Sequence, residues 1–369
     1  MDIYVYNENL DLVGITDSFI SLIWMRRYRS AGSFELYAPM TASNVSLLMP
    51  RTYIYRPDAD ETMYISGIED TDDADSGRCI RATGYSFEGI LRKRVIKSKT
   101  SEAVGLLGVA EAELSENPLA PFGFSDPESL DVIQRSISDN DMGTDLESYI
   151  RNGCLLGERD ISYRVRLDPA AKRLEMSLYN GRDLSRDAVF SDEWGNLNNM
   201  QYAYGEDGCA NVVICRCAPA SEPDVERDPD YPAIPSYTLG EAEGLDRSER
   251  LLMTEPVIKD GVRVVYNEAG VPEFVYFRYL AYYDTLEKMK TEAAAAYSNY
   301  TESYSADALG SGYRSKWDIG DVVTVRNDMR GVAYVKRIEE VQEVFDVNGY
   351  VVTPTFGEPL KTILDLIGR

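Results

Sequence analysis

Asp192-Glu193-Trp194 sets two carboxylates beside an indole, the residue types with which a glycosidase protonates a leaving group and stacks a sugar ring. Such acids act as pairs separated by about 5 Å or about 6.5–9.5 Å. In a chain with 62 Asp and Glu some pair meets that spacing by chance, and an ordinary loop explains the tripeptide equally well. The acidic run DTDDADSG, from Asp70 to Gly77, suggests calcium. An EF-hand loop needs oxygen ligands at its first, third and fifth positions, glycine at the sixth and glutamate at the twelfth. Counted from Asp70, the fifth, sixth and twelfth residues are Ala74, Asp75 and Arg81. The motif fails, and a solvated hairpin tip is the better reading.

Arg92-Lys93-Arg94, with Lys97 and Lys99, forms the one basic cluster of note. It could touch DNA, an acidic neighbouring subunit or only solvent; the overall charge disfavours DNA. The five cysteines, Cys79, Cys154, Cys209, Cys215 and Cys217, show no metal-ligand spacing and no C-x-x-C. Cys215 and Cys217 fall on one face of a strand, and buried free thiols in a reducing compartment are the reading that fits. Histidine is absent, so Ser-His-Asp, Cys-His and imidazole-zinc chemistry are excluded within this chain. No Walker loop, G-x-S-x-G or Rossmann fingerprint occurs. The expectation is a protein with no catalytic, cofactor-binding or metal-binding residues.

The elements that would position such groups read mostly as strands. At 369 residues with 44% hydrophobic content, two to four domains with real cores are expected. Tyrosine supplies 26 residues, scattered along many strand patterns; half-buried strand faces explain that better than a carbohydrate-stacking surface. Lys and Arg number 38, which leaves a net charge of −24. Stable binding to a phosphate backbone, a membrane surface or an acidic polymer is thereby disfavoured. The opening MDIYVYNENLDLVG has no basic and apolar leader, and no apolar run reaches the roughly 20 residues of a membrane span, so neither secretion nor a membrane segment is expected.

Residues 1–97 alternate as an all-β unit. From Thr100 the spacing of Val104, Leu107 and Ala110 predicts a helix, capped by serine and stopped at Asn117-Pro118. Thr144–Leu156 predicts another, with Thr144 and Glu147 as a capping box. Tyr163–Leu167 and Arg173–Tyr179 read as a hairpin, as do Met200–Tyr204 and Asn211–Cys217. Residues 218–256 read as a long exposed loop, and Val262–Tyr266 with Glu273–Phe277 as a further hairpin. Tyr282–Tyr304, with its alanine run, predicts a helix. Trp317 to Phe356 predicts a three-stranded meander, whose turns are Asn-Asp-Met-Arg-Gly and Asn-Gly.

Three segments together, MDIYVYNENLDLVGITDSFISLIWMRRYRSAGSFELYAP, GYSFEGILRKRVI and GDVVTVRNDMRG…RIEEVQEVFDVNGYVVTPTFGEP, resemble the tail hub proteins of long-tailed bacteriophages. These are the siphovirus tail-tip, or tail-associated, proteins, related in fold to the central baseplate hub of contractile tails. Residues 218–256 have no match in the resemblance. The resemblance implies an α+β, mainly β chain with two hub-type β-barrel domains and an inserted mixed α/β region, assembled as a trimeric ring. The first barrel would be residues 1–97, and the second 196–218 with 306–358. Residues 98–195 and 219–305 would be the insertion, and 359–369 a C-terminal tail.

Three copies would then present six barrels to a sixfold tail tube. The implied partners are further copies of the chain, the distal tail protein, tail tube proteins, the tape measure protein and receptor-binding or tip proteins. DNA would pass through the channel without stable binding, since acidic walls repel phosphates. The chain stops soon after the meander, at LKTILDLIGR, so cell-wall cleavage is expected to reside on another protein. The implied location is the virion tail tip, after synthesis in the host cytoplasm. The competing function is a carbohydrate-binding receptor-recognition protein or a carboxylate-dependent glycosidase of the tail tip, resting on Glu193 and Trp194.

Overall fold

The computed structural model describes residues 1–73, 77–126, 129–131, 134–138, 141–156, 161–191, 193–221, 224–308, 312–328 and 330–357. Of the described residues, strand makes up 50% and helix 16%. Two compact units are present: residues 1–203 with those from 302 onward, and residues 204–301.

The first unit is organised by a 13-stranded sheet. Along it run Leu197–Gly205, Thr301–Ala308, Gly349–Phe356, Val332–Asp346, Ser21–Arg27, Ser33–Pro39, Gly77–Ser86, Thr62–Asp73, Tyr53–Tyr55, Ile3–Tyr6 and Leu12–Thr16. Val322–Asn327 pairs with the first half of Val332–Asp346 and carries Val189–Phe190 in parallel on its other side. Period-two alternation builds these strands: Leu22 and Trp24, then Phe34, Leu36 and Ala38, point to one buried face.

Each half of the sheet curls round its own core. Ile3 and Val5 share a core with Leu22 and Trp24, although several strands separate them in the sheet. In the other half Phe190 lies 4.9 Å from Phe356, ring centre to ring centre, with two strands between their own. The chain is mainly β, as expected, but among the described residues no sheet closes into a barrel, as the two expected β-barrel domains would require. The reason is a competing partner. Closure of the first half would pair Ser21–Arg27 with Leu12–Thr16, but Leu22 to Arg27 instead pair antiparallel with Phe345 to Glu340.

The C-terminal meander is present, with one change: the runs at Val332–Lys336 and Ile338–Val344 form a single 15-residue strand, irregular between Ile338 and Glu340. Helices Leu106–Glu116 and Leu146–Leu156, with the sheet of Phe122–Ser125, Ile161–Asp168 and Arg173–Asn180, share one core with Tyr6, Tyr53, Phe87 and Leu91 of the first half. Thr100–Gly105 is a strand paired with Gln134–Ile137, and the helix begins only at Leu106. A distant side chain substitutes for the serine cap, since Asp131 accepts from the Leu106 and Leu107 amides. At the next helix Asp145, not Thr144, accepts from the Ser148 amide.

In the second unit Val212–Cys217 is central between Ser236–Leu239 and Glu249–Thr254. The stretch 218–256 is therefore not one long loop: it supplies both flanking strands and Val225–Glu226 as well. Leu197–Gly205 and Val212–Cys217 lie in different sheets and form no hairpin. The last helix covers Tyr282–Ala296 and buries Met289 and Ala293 against Val213 and Cys215. It stops short of Tyr304 because Thr301–Ala308 is drawn into the large sheet, where Tyr304 pairs with Phe356. Ile258–Tyr266 and Pro272–Leu280 form the further hairpin, longer than the alternation alone suggests.

Candidate assembly site

Where the two curled halves meet, alternation brings charge inward. Arg26 follows Leu22 and Trp24 on the inner face of Ser21–Arg27, and Glu343 follows Val341 on Val332–Asp346. Arg56 is fully buried one residue after the Tyr53–Tyr55 strand. An unpaired charge at such positions costs several kcal/mol, about 3–5 when one partner of a buried pair is missing. The sheet answers by gathering partners from both ends of the chain.

Arg26 donates through Nε to Glu61 at 2.8 Å, and through Nη1 to Tyr313 Oη at 2.8 Å and Asp318 Oδ1 at 2.5 Å. Arg56 donates through Nη2 to Asp58 at 2.6 Å and to Glu343 at 2.9 Å. Its guanidinium lies 5.0 Å from the centre of Trp24 and 4.6 Å from that of Phe345, so it is held between aromatic faces. Glu343 receives four donors: Tyr313 Oη at 2.9 Å and Arg314 Nη2 at 2.6 Å on one oxygen, Arg56 and Tyr350 Oη (3.1 Å) on the other. Burial pushes the Glu343 carboxyl up, and Arg56 and Arg314 more than reverse this, leaving it below the ordinary carboxylate value.

A second buried cluster lies beneath the first half. Glu147 accepts from Tyr163 Oη at 2.8 Å and from Arg92 Nε at 3.2 Å. Glu88 accepts from the Val165 amide at 2.7 Å, while its other carboxylate oxygen is buried without a partner. Burial raises the Glu88 carboxyl to about 7. Buried and paired in this way, these groups lock strand register and helix orientation.

The residues singled out in the sequence are dispersed. Arg92 bonds Glu147, Lys93 bonds Tyr64 Oη at 2.9 Å, Arg94 bonds the Asn117 carbonyl, and Lys97 bonds Glu113 and Glu116, so the basic cluster is engaged within its own chain. Asp192 lies outside the described residues. Glu193 and Trp194 are exposed in a turn, with Arg326 stacked 5.8 Å from the indole centre. Asp73 pairs with Gly77 across the acidic hairpin, whose residues 74–76 also lie outside the described set. All five cysteines are free thiols; Cys79, Cys154 and Cys215 are buried, and Cys209 and Cys217 half-buried. Among the described residues no group of three or more Cys, Asp or Glu is arranged to hold a metal, and no helix is long and apolar enough to cross a membrane.

Arg26, Arg56 and Glu343 escape motif reasoning because no motif contains them. Their one local signal is an alternating strand that reaches a charge where an apolar residue is due.

Three solved structures share this architecture. A tail protein from Neisseria meningitidis superposes with TM-score 0.58 and 12% identity, covering 96% of each chain. The 43 kDa tail protein of prophage MuSo2 from Shewanella oneidensis gives 0.56 and 10%, covering 96% of this chain and 98% of that one. Prophage tail protein gp18 from Listeria monocytogenes gives 0.53 and 11%, covering 100% and 98%. No curated protein sequence matches the chain. The family model for the Siphovirus ReqiPepy6 Gp37-like protein matches residues 2–106, 154–227 and 290–358, which include both sides of the charged seam. The chain belongs to that family, a family of bacteriophage tail proteins.

Proposed function

We propose that this chain is the trimeric hub that joins a hexameric tail tube to the distal tip, without catalysis and without a cofactor. The observation that carries the reading is the twofold internal plan: two curled half-sheets, each with its own core, held in one continuous sheet by the pairing of Leu22–Arg27 with Glu340–Phe345. Three such chains present six curled modules, which is what a sixfold tube requires. Among the described residues the sheet ends at Leu12–Thr16 on one side and at Leu197–Gly205 on the other, and edge strands can continue into a neighbouring copy. The seam of Arg26, Arg56 and Glu343 keeps the two modules in fixed register, so that each copy fits as one piece.

In this reading residues 1–97 form the first module. The second is 306–358 with the Leu197–Gly205 strand of the expected 196–218, whose other strand, Val212–Cys217, lies in a sheet of the second unit; 98–195 and 219–305 are the insertion and 359–369 a C-terminal tail. Neighbours in the particle are the distal tail protein, tube proteins, the tape measure protein and tip proteins, in a virion tail assembled in the host cytoplasm. The net charge of −24 lets DNA slide past a wall that repels its phosphates. Light scattering of the purified chain tests the reading: three protomer masses are expected, with one ring per particle when tails are imaged. A chain that stays monomeric, or is missing from the tail end, overturns it.

A further inference from the structure

The hairpin of Ile258–Tyr266 and Pro272–Leu280 has two unlike faces. Direct cross-strand pairs fix them: Val262 opposite Tyr276, Val264 opposite Phe274 and Tyr266 opposite Pro272 share one face, while Gly261 opposite Phe277 and Arg263 opposite Val275 share the other. The second face is mixed in polarity, and its Val275, Phe277 and Tyr279 are half-buried within the unit. Phe277 lies across Gly261, Arg263 stacks 5.0 Å from the Phe277 ring and pairs with Glu226, and Lys259 reaches Asp284 on the helix. The first face is apolar, and among the described residues it is bare. Tyr276 is 79% exposed, Tyr266 72% and Phe274 67%, with Val262 and Val264 about half exposed. Two-stranded hairpins are marginal in water unless something covers an apolar face, and the one added strand here, Val225–Glu226, has two residues.

We infer that this face is a contact surface between copies of the chain; the inference rests on the ring reading and adds to the two sheet edges a further surface on which its copies depend. Charge selects the occupant. Each copy carries −24, so copies repel one another over most of their surface. The bare face holds one acid and one base, Asp260 and Arg278, paired at 3.6 Å, and so adds no net repulsion. A basic partner is drawn to the carboxylate-rich surfaces instead; a neutral apolar face suits a partner with the same acid excess. Its extent is also sufficient. The five exposed apolar side chains offer on the order of 600 Å², at the upper end for the largest patch of a monomer and approaching the roughly 800 Å² per partner of a stable interface.

The test compares Phe274→Asp on the apolar face with Val265→Asp on the opposite, mixed face, both by light scattering and by circular-dichroism melting. Phe274→Ser serves as a milder variant where Phe274→Asp melts early. The expected result is that wild type and Val265→Asp remain associated while a folded Phe274 variant dissociates by at least tenfold in concentration. A folded Phe274 variant that stays trimeric overturns the contact and leaves the ring standing. A wild type that is dimeric, and becomes monomeric on Phe274 substitution, keeps the contact and removes the ring. A monomeric wild type overturns both.

Discussion

Glu343 holds a full charge in a position with no exposed surface, and it is tolerable there because four donors converge on its two oxygens. Glu343→Gln keeps the shape but leaves Arg56 and Arg314 short of a countercharge. The expected loss is about 3–5 kcal/mol, read from urea denaturation at neutral pH. Glu69→Gln, which breaks an exposed pair with Arg81, is expected to change little. Because the Glu343 carboxyl is depressed in the fold, its contribution is whole above the ordinary value of 4.5 and fades as pH falls through the lowered one. The gap between wild type and Glu343→Gln therefore narrows on acidification. Glu88 behaves in the opposite sense. Its folded value of about 7 lies above the ordinary 4.5, so the folded state holds a proton that the unfolded chain has already lost. Between those pH values its burial increasingly opposes folding, and above 7 the cost is constant at about 3 kcal/mol. Glu88→Gln is expected to match wild type near pH 4.5 and to exceed it by about that amount at pH 8. Equal stability at both pH values would mean that the carboxyl is already relieved by water.

Among the elements, Gly84 shows how closely the first half-sheet is drawn together. A Cβ there would lie 1.8 Å from the Tyr64 carbonyl oxygen, opposite the irregular pairing between Ile65 and Gly67. The obstacle is backbone, so Gly84→Ala must push neighbouring strands away from each other, and a loss of about 1–3 kcal/mol is expected in thermal melts. Element types were largely legible: the alternation around Leu22, Trp24, Phe34 and Leu36, and the Asn-Gly turn before Gly349–Phe356, read directly as strands. Boundaries were not. Val104 and Leu107 share a helical spacing, yet Thr100–Gly105 pairs with Gln134–Ile137 and only Leu106 onward is helical. The alanine run of Tyr282–Ala296 was plain, but where it stopped depended on Tyr304 finding Phe356. Val212–Cys217 was a recognisable strand whose partners, Ser236–Leu239 and Glu249–Thr254, lay in a stretch that reads as loop.

For the whole molecule, the acid excess leads to a direct test. Duplex DNA titrated with the assembled chain at low salt is expected to run unretarded on a native gel. A retarded band that disappears with added salt would reveal a basic wall and end the proposed passive channel. The sequence by itself determined what is local or additive: abundant strands through period-two alternation, a surplus of carboxylates, and the exclusion of histidine chemistry. The tertiary structure decided which strands meet. Leu22–Arg27 joins Glu340–Phe345 from opposite ends of the chain, which keeps the two halves from closing as separate barrels and gives buried Arg26 and Arg56 their partners. Alternation repeats within a few residues and is written in neighbours along the chain. Pairing between distant strands is chosen by which curled cores can be buried together, and no local pattern carries that choice.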